Sequence, residues 1–179
     1  MKLKTASVLA AIIVAGTSSA NANLLFDIYA GGTAGFGGAT MFADHHARSK
    51  SAQSYGAVLG IDIPLVRIEG EYDYLKHKDL DMHAAMLNAY LKMPSVFVQP
   101  YIGAGVGMIF DGSIDDTTVK VDDAMAYQGM LGLTFDIPVL PFKIDAEARA
   151  MYIPDAFKID NTQPDVLHYD ARLKIRYIF

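Results

Sequence analysis

The residues that might do chemistry are few and poorly arranged for it. The histidines are His45, His46, His77, His83 and His168, and there is no cysteine. Acyl transfer needs a nucleophile beside a base and an acid that orients the base. Beyond the N-terminal segment the serines are Ser49, Ser51, Ser54, Ser95 and Ser113, and none forms a His-x-Ser arrangement. His168 and Asp170 lie two residues apart, a spacing that an interior ion pair explains equally well. Asp44, His45, His46 and His77 carry metal-ligating groups, but adjacent histidines on a loop lack a fixed ligand geometry. The reading is no enzyme: no catalytic residue, no metal and no cofactor is expected. The absence of cysteine excludes disulfides. A formal charge of −5 without a basic patch argues against nucleic acid as a partner.

The elements that position these residues read as strands. Residues 166–179 are the clearest. Leu167, Tyr169, Ala171, Leu173, Ile175, Tyr177 and Phe179 form one face, and His168, Asp170, Arg172, Lys174 and Arg176 the other. Side chains alternate across a strand, so this is a long two-faced strand with one apolar and one charged face. A long alternating strand that stops at a terminal Phe resembles the C-terminal assembly signal of outer-membrane β-barrels, which assigns that role to Tyr177 and Phe179.

The same pattern runs back through the chain. Met1–Ala22 reads as a signal peptide: Lys2 and Lys4 precede an apolar run, and Ala20-Asn21-Ala22 is a cleavage site before Asn23. Residues 23–179 form one domain. Strands are expected at 24–36, 53–63, 66–74, 82–91, 96–110, 125–137, 142–152 and 166–179. The fourth, rich in Ala, Met and Leu, is the weakest, since that composition also suits a helix. Residues 37–52, 75–81, 111–123 and 154–165 read as longer polar loops. The three short turns all contain proline: Pro64, Pro94, and Pro138 with Pro141. Alternate glycines at Gly103, Gly105 and Gly107 suggest backbone room in a crowded interior or sheet curvature.

Three features decide between a membrane barrel and a soluble lipocalin-like one. The polar face carries both signs: Asp27, Asp62, Glu69, Glu71, Asp73, Asp136, Asp145, Glu147 and Asp170 against Arg67, Lys143, Arg149, Arg172, Lys174 and Arg176. An eight-stranded barrel has an interior just wide enough for side chains to fill, so these charges are expected to pair there. Tyr29, Tyr90, Phe97 and Tyr101 are expected to help plug it. The apolar face carries aromatics at both strand ends around an aliphatic band, which matches two membrane interfaces. Loops are short at one end and long at the other. The fold class is therefore all-β: an eight-stranded antiparallel up-and-down transmembrane β-barrel.

Tyr55-Gly56-Ala57-Val58-Leu59-Gly60, residues 100–107 (P-Y-I-G-A-G-V-G), Tyr127-Gln128-Gly129-Met130-Leu131-Gly132 and the closing Tyr177-Ile178-Phe179 carry a family likeness. The chain resembles the opacity-type, rickettsial surface-antigen group of Gram-negative outer-membrane β-barrels, related in architecture to the small outer-membrane protein A and X barrels. The resemblance implies a barrel and its assembly and specifies no activity. The expected function is a non-enzymatic surface barrel that supports envelope integrity and presents short acidic loops for adhesion or surface interaction. Expected partners are outer-membrane lipid and lipopolysaccharide, the barrel-assembly machinery, and host surface molecules. A small porin-like pore is the alternative; a lipid A-modifying enzyme and a soluble periplasmic carrier rank below it.

Overall fold

Period-two patterning from Asp27 to the C-terminus leaves a lipid-embedded backbone one way to satisfy its hydrogen bonds, a sheet closed on itself. The computed structural model has that architecture. It describes residues 26–43, 46–77, 80–95, 97–114, 124–137, 140–154 and 165–179. The segment read as a signal peptide lies outside the described residues. Eight strands follow in chain order: β1 Asp27–Ala43, β2 His46–Asp62, β3 Val66–His77, β4 Leu80–Lys92, β5 Val98–Ile114, β6 Ala124–Asp136, β7 Phe142–Ile153 and β8 Asp165–Ile178. Each pairs antiparallel with its neighbours, and β8 returns to β1 to close the barrel.

The stagger follows from the registers. Stepping from Ile28 through Ile61, Ile68, Ala89, Ala104, Gly129, Ala150 and Tyr169 returns to Gly38, ten residues along β1 from the start. For eight strands this sets a tilt of about 40°. At that tilt the nine residues from Asp27 to Gly35 nearly cross a hydrocarbon layer.

The strands outrun the sequence reading at the long-loop end. Residues 37–43 and 46–52, read as a loop, continue the β1–β2 ladder to Ala43 opposite His46. Residues 75–77, 80–81 and 111–114 are also strand, and Leu75 is fully buried. Sheet pairing persists past the membrane boundary, where a polar composition no longer marks the end of a strand. The extension also puts Lys76 and Asp165 on the outer-face parity of β3 and β8, where no charge was expected. The fourth segment is strand, with Met86, Asn88 and Tyr90 buried and Leu87 and Leu91 exposed.

Inside and outside separate cleanly. The outer wall exposes Ile28, Leu59, Ile68, Leu87, Ile102, Leu131 and Leu173, framed by Phe36, Tyr55, Tyr72, Tyr127, Tyr152 and Tyr169 above and Phe26, Phe135, Phe142, Tyr177 and Phe179 below. At the lower rim Phe142 meets Tyr177 and Tyr177 meets Phe179 edge to face, each at 5.2 Å. The Phe179 amide donates to the Ile28 carbonyl (2.9 Å), so the terminal residue takes part in closure. Glycines on the inner parity make room for large interior side chains: a Cβ on Gly103 would run into the Tyr90 ring. Replacing Gly103 with Val is expected to cost about 1–3 kcal/mol by forcing Tyr90 out of place, read as a lower midpoint in urea refolding into lipid.

Candidate functional site

The lumen is the candidate site, because the buried chemistry of the chain is gathered there. At the short-turn mouth, Asp62 of β2 takes Lys92 of β4 and Arg176 of β8, the latter at 3.1 Å. Lys143 lies 3.9 Å from Asp62 and 3.3 Å from Asp136, which is itself partly exposed at the rim. One step further in, Asp145 accepts a two-pronged pair from Arg176 (2.8 and 2.9 Å), one bond from Arg67 (3.1 Å) and the Thr134 hydroxyl (2.7 Å). The Arg67 guanidinium stacks between Tyr90 and Tyr101, 3.9 and 4.7 Å from the ring centres. Its Nε and Nη2 have no hydrogen-bond partner among the described residues, so the ring faces take their place.

The middle tier is built on Glu69, which accepts from Tyr29 (2.6 Å), Tyr90 (2.9 Å) and Lys174 (2.6 Å). Above it Arg172 reaches both Glu71 and Glu147, the latter at 2.6 Å, and Tyr101 also donates to Glu147 (2.9 Å). Asn88 and Gln128 complete the shell around Glu71. Arg149 then joins Asp73 of β3 to Asp170 of β8, with bonds of 2.9 and 2.7 Å to Asp170. Among the described residues, seven buried carboxylates face six buried lysines and arginines, with Lys143 at the mouth. The network is close to neutral, which a water-poor interior requires.

A second plug sits above the charges. Leu75, Met82, Ala84, Met86, Ile109, Ala124, Ala126, Met151, Ile153, Val166 and Ala39 form one apolar cluster inside the long-loop end. The barrel is therefore filled by salt bridges through the membrane and by hydrocarbon above them.

Of the charged residues singled out in the sequence, the structure brings Asp62, Arg67, Glu69, Glu71, Asp73, Asp145, Glu147, Arg149, Asp170, Arg172, Lys174 and Arg176 into the buried network, with Lys143 and Asp136 at its edge. Asp27 is not among the buried pairs: it stands exposed at the mouth, where β1 begins. Phe97, expected in the plug, is exposed: it shares the parity of Tyr101 but precedes β5, beyond the end of the sheet. Sequence reasoning missed Lys92, taken as the start of a turn. It ends β4 on the same parity as Asn88 and Tyr90, and that continuation was the available signal. It also missed Ser54, Asn88, Gln128 and Thr134 as network members. The Ser54 hydroxyl donates to Asp170 (2.6 Å), and His168 Nε2 lies 3.4 Å from the same carboxylate. Serine and histidine here meet the same carboxylate oxygen, and all three residues are buried. His45 lies outside the described residues, and no cluster of metal-ligating side chains occurs among those described.

The surface antigen family matches residues 17–148, well over half of the sequence. The chain belongs to the surface antigen family. No curated protein matches the chain in sequence. Solved barrels resemble this surface-antigen chain in fold. Neisserial surface protein A (NspA) has a TM-score of 0.66 at 18% identity, covering 85% of this chain and 97% of its own. The N-terminal β-barrel domain of Pseudomonas aeruginosa OprF gives 0.54 at 16% identity, with 84% and 97% covered. The outer membrane enzyme PagL gives 0.51 at 13% identity, with 80% and 97% covered. An apolar outer wall with two aromatic rims places the surface-antigen barrel in the bacterial outer membrane.

Removing one partner from a buried cluster strands the others. Arg172→Leu leaves Glu71 and Glu147 short of a cation, and is expected to destabilise the barrel by about 3–5 kcal/mol. Equilibrium urea unfolding in lipid vesicles measures it.

Proposed function

We propose that this surface-antigen barrel works closed: it supports the envelope and presents its long-loop rim for adhesion or surface interaction, without catalysis. The carrying observation is the doubly filled lumen, with cross-barrel ion pairs through the membrane and an apolar cluster above them. An ion crossing it would have to break several buried pairs at once, each desolvated and costly to open.

Against an enzyme stands the placement of the polar groups. Ser54, Asp170 and His168 are buried inside the barrel, Ser54 and His168 beside Leu75, Met151 and Ala39 of the apolar cluster, out of reach of lipid or peptide. On the outer wall His83 is surrounded by Tyr72, Tyr74 and Phe110, none of them a serine. The shared fold with PagL carries no activity across at such low identity.

The partners follow from the surfaces. Outer-membrane lipid, lipopolysaccharide included, covers the outer wall, and host molecules would meet the long-loop rim. Tyr177 and Phe179 would engage the barrel-assembly machinery. The acidic residues Asp115, Asp116, Asp122 and Asp123, which give the loops their charge in sequence, lie outside the described residues.

The test is refolding of the full barrel into planar lipid bilayers. No conductance steps are expected, together with a heat-dependent mobility shift on gels that reports the folded barrel. Steady conductance from the shifted species would overturn the closed reading and favour a pore. Deletion of Phe179 is expected to slow assembly in cells while leaving spontaneous refolding into vesicles largely intact, checked by the fraction of heat-shifting protein.

A further inference from the structure

One polar cluster faces the membrane and not the lumen. At the long-loop end of the outer wall, the Tyr72 hydroxyl lies 2.8 Å from His83 Nδ1. The His83 ring is framed by Tyr74 at 5.1 Å, Tyr72 at 5.9 Å and Phe110 at 6.2 Å, centre to centre. Lys76 is exposed two residues beyond Tyr74 on the same face. Tyr74 is opposite His83 in register, which makes Lys76 and His83 diagonal neighbours, about 7–8 Å apart along the backbone.

The height of this cluster is set by its neighbours. Two other upper-rim tyrosines also turn their hydroxyls to a polar side chain: Tyr55 donates to Gln53 (3.2 Å) and Tyr152 to Asp165 (2.7 Å). Tyrosines with one end apolar and the other hydrogen-bonded mark a membrane interface. Lys76 and His83 therefore lie at the level of outer-leaflet headgroups. The Tyr55 and Tyr152 sites carry an amide and a carboxylate, whereas the β3–β4 site carries a cation. When the Tyr72 hydroxyl donates to Nδ1, the ring proton of His83 sits on Nε2 and is available as a donor. An N–H donor, an ammonium and three ring surfaces meet at one place. A phosphate is the anion that uses both donors, and a lipid chain is the group that uses the rings.

We propose that Lys76 and His83, framed by Tyr72, Tyr74 and Phe110, bind the phosphate of a phosphorylated outer-leaflet lipid. The proposal rests on the outer-membrane placement and is independent of whether the lumen conducts.

The experiment is native mass spectrometry of the full refolded barrel in micelles, with phosphorylated lipid A, the same lipid A with its phosphates removed, and phosphatidylcholine as probes. Phosphorylated lipid A is expected to be retained about tenfold over the others. Lys76→Ala with His83→Ala is expected to abolish that preference, and Lys76→Arg to keep most of it. The heat-dependent gel shift confirms that each variant is folded. Equal retention of phosphorylated and dephosphorylated lipid A overturns the proposal, as does an unchanged preference in the double variant. Displacement of lipid A by millimolar inorganic phosphate would assign the site to free phosphate and overturn the lipid source. Conductance of the same samples reports separately on the closed-barrel reading.

Discussion

Arginine–carboxylate pairing across the lumen is the constraint on which the rest of the barrel depends. β3 and β7 lie four places apart in a ring of eight, on opposite walls. Arg67 of β3 nonetheless reaches Asp145 of β7, and Arg149 of β7 reaches Asp73 of β3. Arg172 on β8 holds carboxylates from both walls. Contacts of this kind exist only when the barrel is closed at the right stagger, because a slip of one residue would turn every charge on that strand to lipid. Buried ion pairs are not by themselves a source of net stability, since desolvation offsets much of the attraction. Their consequence here is specificity: a wrong register leaves charges unpaired at a cost of several kcal/mol each.

That interior dictates the exterior. With every charge of the membrane-crossing segments turned inward, the outer wall is free to be apolar, and the aromatic rims record where hydrocarbon ends. Above the rim the logic reverses. The same inward parity carries Leu75, Met82, Met151 and Ile153, and polar residues such as Lys76 turn outward. The barrel is thus inside-out within lipid and ordinary above it, on continuous strands. Closure is completed by β8 against β1, where Tyr29 opposes Ile178 and Phe179 bonds to Ile28.

Most of the fold was legible because alternation is a strong signal when both faces are extreme. Glu69, Glu71 and Asp73 against Ile68, Tyr72 and Tyr74 leave little choice of strand or face. The extent of the strands was not legible. Residues 37–52 look like a loop because their composition is polar and opens on glycine, and only the register shows the ladder running on to Ala43 opposite His46. Lys92 was hidden for another reason: it sits next to a proline turn, and only its parity with Tyr90 shows that it points inward. The choice of partners was also beyond sequence. Arg67 could have met any of several acids, and the cross-barrel distances that give it Asp145 and two aromatic rings arise from stagger, not from local spacing. The Tyr72–His83 pair is likewise a product of register, because His83 belongs to a strand whose composition barely announced itself.

The most direct test of this account is a double-mutant cycle across the lumen, Arg149→Met and Asp73→Leu, singly and together, by equilibrium unfolding in vesicles. Facing strands joined through a closed lumen predict a coupling energy of about 1–3 kcal/mol, with the double variant much less destabilised than the two singles added. Additive effects would mean that the two walls do not feel each other, and would contradict a barrel held in register by charges that meet across its centre.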